Sequence, residues 1–342
     1  MRIQKLNSSY YTKYEHFLTK FNNSLFYYSI KYKIFLEELL DCQSRYLMVL
    51  DRDDSILAIL PLMIKTGCYG KVVNSLPYYG SNGGILSLHE ESHIFLLEYY
   101  YKYIEDVGSA TYIENPLIKA SAEVKFELID ERIGQFTSIG FNGNVKESLL
   151  KSFDASARRN IKKAIKSEVT VEIDNTQTEF LFETHFENIT SINGKAKEKK
   201  FFLLLDSFFE KGKDYNIFVA KKDDINIAAL LVFYYNKTVE YFTPVIKKEF
   251  RNMQPLSLII YQTMIDANKK NYTLWNWGAT WKTQEGVYKF KKKFGTIDIL
   301  YKYFNTINNN KIYSSSSEEL LKEYNGFYVI PFNKLNHVGS AL

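Results

Sequence analysis

The sequence predicts an α/β protein of the α+β type, with two tandem copies of one unit whose mixed, mostly antiparallel sheets are flanked by helices. Its 342 residues exceed the size at which a single hydrophobic core stops growing, so two domains are expected. One order of elements occurs twice: a helix, an antiparallel meander, a loop, a second helix and a strand. Polar turns at Asp54 and Asp224 hold equivalent places in the two copies. This duplication predicts a first domain over residues 1–150 and a second over residues 151–342.

Hydrophobic periodicity and turn residues place the elements of the first copy. The predicted elements are helices over 24–40 and 89–104 and strands over 46–50, 56–64, 71–76 and 110–114.

The second copy repeats this order. The predicted elements are helices over 178–192 and 199–210, a helix that starts at Pro255, and strands over 215–220, 227–235, 238–243 and 272–276. Pro255 suits a first helical turn, because the N–H that it lacks would have no partner there. The C-terminal part adds helices over 284–294 and 318–324 and strands over 297–304 and 327–332.

Composition excludes several classes of protein. The net charge of +5 is smaller than the basic excess of a dedicated nucleic-acid-binding protein. Cys42 and Cys68 form neither a CxxC motif nor a disulfide framework, which favours a reducing compartment. The N-terminal residues lack an apolar signal segment, and the longest apolar run, 227–235, is shorter than the ~20 residues of a membrane span. We therefore expect a cytoplasmic protein without stable membrane insertion.

A basic helix is predicted over residues 154–167, between the two copies. Its cations recur at a spacing of four residues, Arg158 with Lys162 and Arg159 with Lys163, so they form a positive ridge. Such runs are often simply solvated, but a ridge beside a domain junction is also a place for ligand phosphates. We predict that this helix binds a phosphate of the acceptor substrate, with tRNA as the rival ligand.

Residues 89–93 match the HExxH motif, in which two histidines hold zinc and the glutamate acts as a base. Ser87 and Glu90 also fit a capping box at the start of the same helix, and no third metal ligand is evident. A zinc-dependent peptidase that uses His89, Glu90 and His93 is therefore an alternative function, and no metal is predicted for the preferred one.

The loop over residues 77–84 combines glycines with aromatic and polar side chains. Glycines here supply positive φ in turns, and they equally allow a ligand to approach the backbone. The sequence leaves both interpretations open. The side chains of this loop that we predict to bind substrate are Tyr78, Tyr79, Ser81 and Asn82.

Four segments carry a family likeness: 76–85, 157–164, 215–220 with the strands that follow, and 286–295. With them the chain resembles the FemABX-like aminoacyltransferases and the related GNAT-like proteins of polysaccharide gene clusters. The resemblance implies two GNAT-like domains and an N-acyltransferase. Its acceptor would be an amine of a nucleotide-linked amino sugar or of a cell-wall or surface-polysaccharide precursor, and its donor aminoacyl-tRNA or acyl-CoA.

The resemblance also implies site residues. The Phe-Lys pair that handles the acyl ester matches Phe290-Lys291, with Lys291 as a cation for the oxyanion or a tRNA phosphate. An activated ester can be attacked directly by an amine, so the enzyme must position both partners, stabilise the oxyanion and remove a proton. Glu285 and a substrate phosphate are the two candidates for that last step. Further substrate-binding residues are predicted at Arg158, Arg159, Lys162, Tyr241, Thr243 and Trp277.

The chain departs from the family in two places. It lacks the long coiled-coil arm of some Fem enzymes. The turn over residues 251–256, where GNAT enzymes bind the CoA diphosphate on backbone N–H groups, has no glycine, and Pro255 removes one donor. This weakens acyl-CoA relative to aminoacyl-tRNA without choosing between them, and no tightly bound cofactor is expected. A non-catalytic module that binds glycan precursors is a further alternative.

Overall fold

The protein was analysed as a computed structural model that describes residues 1–78, 82–118, 124–281 and 284–336. Its α-helices are α1 (Tyr11–Thr19), α2 (Ile30–Leu40), α3 (Glu90–Ile104), α4 (Val145–Ser152), α5 (Ala155–Lys166), α6 (Thr178–Thr190), α7 (Lys199–Phe208), α8 (Pro255–Lys269), α9 (Glu285–Lys292) and α10 (Ser317–Glu323). Its strands are β1 (Arg2–Lys5), β2 (Gln43–Ser44), β3 (Leu47–Leu50), β4 (Ile56–Leu60), β5 (Met63–Gly67), β6 (Gly70–Asn74), β7 (Leu86–Ser87), β8 (Ser109–Ile113), β9 (Leu128–Ser138), β10 (Thr170–Ile173), β11 (Tyr215–Lys222), β12 (Ile225–Tyr235), β13 (Thr238–Ile246), β14 (Leu274–Thr280) and β15 (Ile297–Ile307).

The chain folds into two units that do not follow its linear order. The first unit comprises Met1–Arg132 with Leu300–Leu342, and the second comprises Ile133–Ile299. This differs from the predicted division at residue 150. The reason is strand pairing: β15 pairs with β8 of the first unit, and β9 pairs with β14 of the second. Each sheet is thus completed by a strand from the other half of the sequence.

In the second unit, the strands follow the order β10-β11-β12-β13-β14-β9. All neighbours are antiparallel except β13 and β14, which are parallel and joined by α8. The apolar side of α8 and the tryptophans Trp275 and Trp277 belong to one buried cluster. A parallel connection requires such a crossover helix, whereas the antiparallel strands β11, β12 and β13 are joined by short turns.

In the first unit, β1, β3, β4 and β7 form an antiparallel sheet, and a second sheet has the order β15-β8-β6-β5-β2. Here β6 and β8 are the parallel neighbours, joined by α3. Within the described residues, no helix is both long and apolar enough to cross a membrane.

The two units repeat one topology. β6–α3–β8 corresponds to β13–α8–β14: each pair of strands is parallel, with an antiparallel strand on either side. This confirms the predicted fold class, a tandem arrangement of mixed, mostly antiparallel sheets with flanking helices.

Three predicted elements need correction. The strand expected over 56–64 is two strands, β4 and β5, because Pro61 lacks the N–H that a continuous ladder needs. The strand expected over 327–332 is absent from these described residues. The Tyr328 N–H donates instead to Asn74 Oδ1 at 2.7 Å, so a side chain takes the place of a strand partner. The helix expected over 24–40 begins at Ile30, where Ser29 accepts the capping bond from the Tyr32 N–H.

Candidate active site

The candidate site lies in the second unit, where two parallel strands separate. β13 and β14 are paired from Thr238 and Leu274 only as far as Glu240 and Asn276. Both strands continue beyond this point, yet no pairing joins residues 241–246 to residues 277–280, all of which the structure describes. At the far end of β13, the N–H and the O of Ile246 are bonded to the side chain of Asn188. Backbone groups of the facing edges that no side chain engages can bond to a ligand. We call this opening the β13–β14 fork.

Each strand of the fork also carries a bulge where it pairs with its other neighbour, β13 with β12 and β14 with β9. β13 carries one extra residue, Phe242, relative to its neighbour β12. β14 places Trp277 and Gly278 opposite the single residue Gln135 of β9. Bulges of this kind bend a strand and re-aim its side chains, and they are frequent next to active sites.

Aromatic rings line the fork. The Tyr241 ring lies 4.9 Å from that of Trp277 and 6.0 Å from that of Trp275, measured between centroids. Trp277 is buried, and its Nε1 donates to Thr137 Oγ1 at 2.9 Å. Burial raises the pKa of the Tyr241 hydroxyl, which therefore stays neutral. Two residues predicted to bind substrate, Tyr241 and Trp277, are thus in contact and form one apolar wall.

Lys291 reaches the fork from α9. Its side chain is buried, and its Nζ donates to Ala279 O at 3.2 Å and to Thr280 Oγ1 at 2.8 Å. Both acceptors lie on the diverging part of β14. The amine is therefore held against the part of β14 that has separated from β13.

Burial lowers the pKa of Lys291 to about 7, because desolvation penalises the ammonium form. Among the described residues, no carboxylate forms an ion pair with Lys291 to offset this effect. Its two hydrogen bonds use both N–H groups of a neutral amine and leave the lone pair free. In the ammonium form the third N–H takes that position. Lys291 can therefore accept a proton at this position when it is neutral, and donate a hydrogen bond from the same position when it is protonated.

A polar chain behind Lys291 fixes the direction of these bonds. The Thr280 hydroxyl donates to Gln135 Oε1 at 3.1 Å, so its lone pairs are turned to Lys291. Gln135 Nε2 lies 3.5 Å from Asp298 Oδ1, and Lys292 Nζ is 3.0 Å from Asp298 Oδ2. The neighbouring lysine is therefore engaged with a carboxylate, whereas Lys291 contacts only neutral acceptors.

A buried pair lies at the closed end of the fork. Asn276 Nδ2 donates to Glu240 Oε2 at 2.8 Å, and both side chains are buried. Asn276 Oδ1 in turn accepts from the Gly278 N–H at 2.9 Å. Gly278 has φ of +73°, a conformation that favours glycine. The pair thus holds the turn in β14 that precedes the acceptors of Lys291.

This turn provides a stability prediction. A Cβ at Gly278 would meet no atom within 4 Å, so Gly278→Ala adds only the cost of a left-handed L-residue, about 1–2 kcal/mol. We expect a loss of that size in the free energy of unfolding, measured with urea. Gly286→Ala is the matched control: its Cβ also meets open space, but Gly286 lies in α9. There alanine should stabilise by about 0.5 kcal/mol. Equal effects at the two positions would contradict the role of the turn.

The other predicted catalytic residues are placed as follows. Phe290 is half-buried and packs on Phe294, with ring centroids 5.5 Å apart. Glu285 is exposed and forms an ion pair with Lys289, 2.7 Å away and one helical turn along. Glu285 therefore faces solvent beside Lys289, and the structure does not bring it to the amine of Lys291.

Thr243 lies on the diverging part of β13. It is fully buried, and its Oγ1 has no hydrogen-bond partner among the described residues. A buried hydroxyl without a partner is costly, so a ligand that bonds to it gains that energy. Among the residues predicted to bind substrate in the second unit, Thr243 thus has a hydroxyl that can bond to a ligand.

The predicted cations of the basic helix separate into two groups. Arg158 Nη1 donates to Leu150 O and to Phe153 O, so its guanidinium caps the end of α4. Arg159 and Lys162 are exposed. Arg158 therefore serves the local fold, whereas Arg159 and Lys162 remain available to a ligand.

The predicted residues of the loop 77–84 belong to the first unit. Tyr78 has φ of +80°, and its N–H donates to Gly326 O at 3.0 Å. Asn82 is buried, and its Oδ1 has no hydrogen-bond partner among the described residues. Tyr79 and Ser81 lie outside the described residues.

The HExxH segment does not assemble a metal centre from described residues. His93 is buried in α3 and burial lowers its pKa, whereas His89 is exposed at the N-cap. No group of three or more histidine, cysteine, aspartate or glutamate side chains in the described ranges is placed to hold a metal ion. The predicted capping box is also wrong: the Ser87 hydroxyl donates to His89 O, and no side chain caps the helix.

Sequence reasoning missed several residues of the site. Thr280 and Gln135 acquire their roles only through long-range contacts. Gln135 lies in β9, which has no predicted counterpart. Gly278 did carry a signal, since an isolated glycine in a strand often marks a bulge. Glu240 and Asn276 carried a weaker one, as polar residues in otherwise apolar strands.

The family likeness extends over this site. The FemAB family model matches residues 175–300, which include β11 to β14 and α9. The structure of FemX superposes with a TM-score of 0.69 at 15% identity, over 92% of this chain and 99% of FemX. Over residues 175–300 the chain is similar to the FemAB family. This confirms the predicted resemblance, and the family match supports the predicted class of enzyme, an acyltransferase.

Other solved structures are similar to this chain. A conserved protein of unknown function from Bacteroides thetaiotaomicron has a TM-score of 0.57 at 11% identity, over 90% of this chain and 99% of that protein. A tandem GNAT protein from the clavulanic acid biosynthesis pathway has a TM-score of 0.49 at 9% identity, over 90% of this chain and 98% of its own. Among curated proteins, none matches the chain.

Proposed function

We propose that this protein transfers an aminoacyl group from tRNA to an amine of a nucleotide-linked amino sugar or of another precursor of the cell wall or surface polysaccharide. The observation that carries the proposal is the buried amine of Lys291 at the edge of the β13–β14 fork, in the segment that matches the FemAB family. The fork offers open strand edges for an extended acyl or peptide group, and Lys291 offers proton transfer.

In the proposed reaction, the acceptor amine attacks the ester carbonyl, and a C–N bond forms as the C–O bond to the tRNA ribose breaks. The attacking amine loses a proton to the free lone pair of Lys291. The same proton then passes from Lys291 to the departing ribose oxygen, which leaves as a hydroxyl. A group with a pKa of about 7 suits both steps, because it gains and loses a proton with little penalty near neutral pH.

The negative charge that develops on the carbonyl oxygen needs a donor. The buried hydroxyl of Thr243, which has no partner in the described part of the chain, is our candidate. A pre-placed donor of this kind costs no reorganisation when the charge forms. Tyr241 and Trp277 would hold the apolar part of the acyl group and keep water away.

The start of α8 favours tRNA over acyl-CoA as donor. A CoA diphosphate would need free backbone N–H groups at this helix N-terminus. The Gln254 N–H already donates to Arg251 O and the Ser257 N–H to Gln254 O, while Pro255 has no N–H. Three of the four positions from Gln254 to Ser257 therefore offer no free donor.

The experiment is a mass measurement of the acceptor. The purified protein is incubated with a nucleotide-linked amino sugar or muropeptide and, in parallel, with a mixture of aminoacyl-tRNAs or with acetyl-CoA. We expect the acceptor to gain the mass of an aminoacyl residue with aminoacyl-tRNA and nothing with acetyl-CoA. Acetylation alone would overturn the proposed donor. No gain with either donor across a panel of acceptors would count against the proposed function.

A further inference from the structure

Helix α5 is fixed firmly on one side. Its residues Ala157, Ile161 and Ala164 are buried in the cluster that includes α8. Its N-cap Asp154 accepts the Ala157 N–H at 2.7 Å. The opposite side of the helix faces solvent, so its side chains are presented from a rigid support.

That solvent side carries four cations. Arg159, Lys162, Lys163 and Lys166 are exposed and stand on one face at a helical spacing of three and four residues; we call them the α5 cation face. They border an open depression of about 500 Å³ lined by α5 side chains alone. No carboxylate occurs within α5.

The cations of this face differ in ion pairing from several other exposed lysines of the same unit. Among the described residues, none of the four forms an ion pair. Four exposed lysines elsewhere in the unit do, within 3.0 Å: Lys199 with Glu179, Lys211 with Asp206, Lys213 with Glu210 and Lys270 with Asp266. Like charges one turn apart on a helix repel each other, so the unbound face is destabilising by itself. A bound polyanion would relieve that repulsion.

The α5 cation face is connected to the candidate site. The Asp154 N–H donates to Lys293 O at 2.9 Å, directly after the helix that carries Lys291. The rings of Phe153 and Phe294 are 5.2 Å apart at the same junction. α5 therefore begins where α9 ends, and its 12 residues extend for about 18 Å.

We infer that the α5 cation face binds the phosphate backbone of the tRNA whose aminoacyl end lies at Lys291. This deepens the proposed function and rests on it. Four cations at spacings of about 5–6 Å suit a run of phosphates, whereas the diphosphate of a sugar nucleotide needs only one or two. A lipid surface fits less well, because the apolar side of α5 is buried in the core and only Ile165 among its large apolar side chains is exposed.

The test measures binding, not turnover. The full chain is titrated into a fluorescently labelled, deacylated tRNA at several salt concentrations. The test variant carries Arg159→Gln, Lys162→Gln, Lys163→Gln and Lys166→Gln. The matched control carries Lys199→Gln, Lys211→Gln, Lys213→Gln and Lys270→Gln, which removes the same number of charges from the ion-paired lysines. Circular dichroism verifies that both remain folded.

We expect the Kd for tRNA to rise at least tenfold in the test variant and less than threefold in the control. The slope of log K against log salt should fall by about 3, since each phosphate contact contributes about 0.7–0.9. An equal loss in both variants, or no loss in either, would overturn the inference. So would a selective loss of binding to phosphatidylglycerol vesicles or to a uridine diphosphate sugar, with tRNA binding unchanged.

The inference and the proposed function fail separately. If tRNA binding depends on the α5 cation face but no aminoacyl group is transferred, the inference stands and the proposed function fails. If transfer from aminoacyl-tRNA occurs and the test variant binds tRNA as tightly as the wild type, the inference alone is overturned.

Discussion

Lys291→Met should lower kcat/KM for aminoacyl transfer by about 100- to 10,000-fold, the usual range for loss of a positioned proton-transfer group. Methionine has nearly the length of lysine and suits a buried position, but it can neither accept nor donate the proton. The measurement is the initial rate of product formation, with the concentrations of aminoacyl-tRNA and acceptor varied in turn.

A lower rate could come from destabilised protein as well as from lost catalysis, so the stability of the variant must be measured separately. Methionine leaves Ala279 O and Thr280 Oγ1 without the Nζ donor, which costs about 1–3 kcal/mol of unfolding free energy. A urea titration measures that cost. Lys289→Met is the control, because the Lys289 side chain is 69% exposed and pairs only with Glu285. Its activity should stay within about threefold of wild type, and an equal loss in the two variants would contradict the role of Lys291.

The pH dependence of the reaction should show which form of Lys291 is active. With a pKa of about 7, the amine is neutral above that pH and protonated below it. A proton acceptor must be neutral, and so must the attacking amine of the acceptor, which titrates near pH 10 when it is a lysine side chain. We therefore expect log kcat/KM to rise with a slope of about 2 below pH 7 and of about 1 above it.

The alternative role predicts a different profile. If Lys291 acts as a cation for the oxyanion, its ammonium form is the active one and is lost as pH rises through 7. The slope would then be about 1 below pH 7 and about 0 above it. Lys291→Arg provides a second test, because arginine keeps the positive charge but cannot release a proton. An arginine variant that retains substantial activity would favour the oxyanion role over proton transfer.

Much of the second unit could be predicted from local pattern. The apolar runs and turn residues from Thr178 to Asn276 predicted the order α6, α7, β11, β12, β13, α8 and β14, with ends within a few residues. These elements carry their signals in adjacent residues: a period of two for strands, a longer one for helices, and Pro255 at a first turn. The Phe290-Lys291 pair, by contrast, was predicted only from the family resemblance of its segment.

Sequence reasoning missed β9, and it predicted β15 as a strand over 297–304 without its place in a sheet. β9 and β15 each complete a sheet made by the other half of the chain, and no local pattern indicates which sheet a strand will join. The spacing of the repeats predicted a division of the chain at residue 150. The two compact units instead follow the pairing of the strands.

The sequence by itself determined the α/β duplication, the family likeness and the set of candidate residues. The family likeness pointed to Lys291, but the local pattern gave no physical difference among Lys289, Lys291 and Lys292. Only the tertiary structure decided that Lys291 is buried against β14, that Lys292 pairs with Asp298 and that Lys289 stays in solvent. The physical reason is that a lysine's chemistry follows from its desolvation and its hydrogen-bond partners, and both come from residues distant in the sequence.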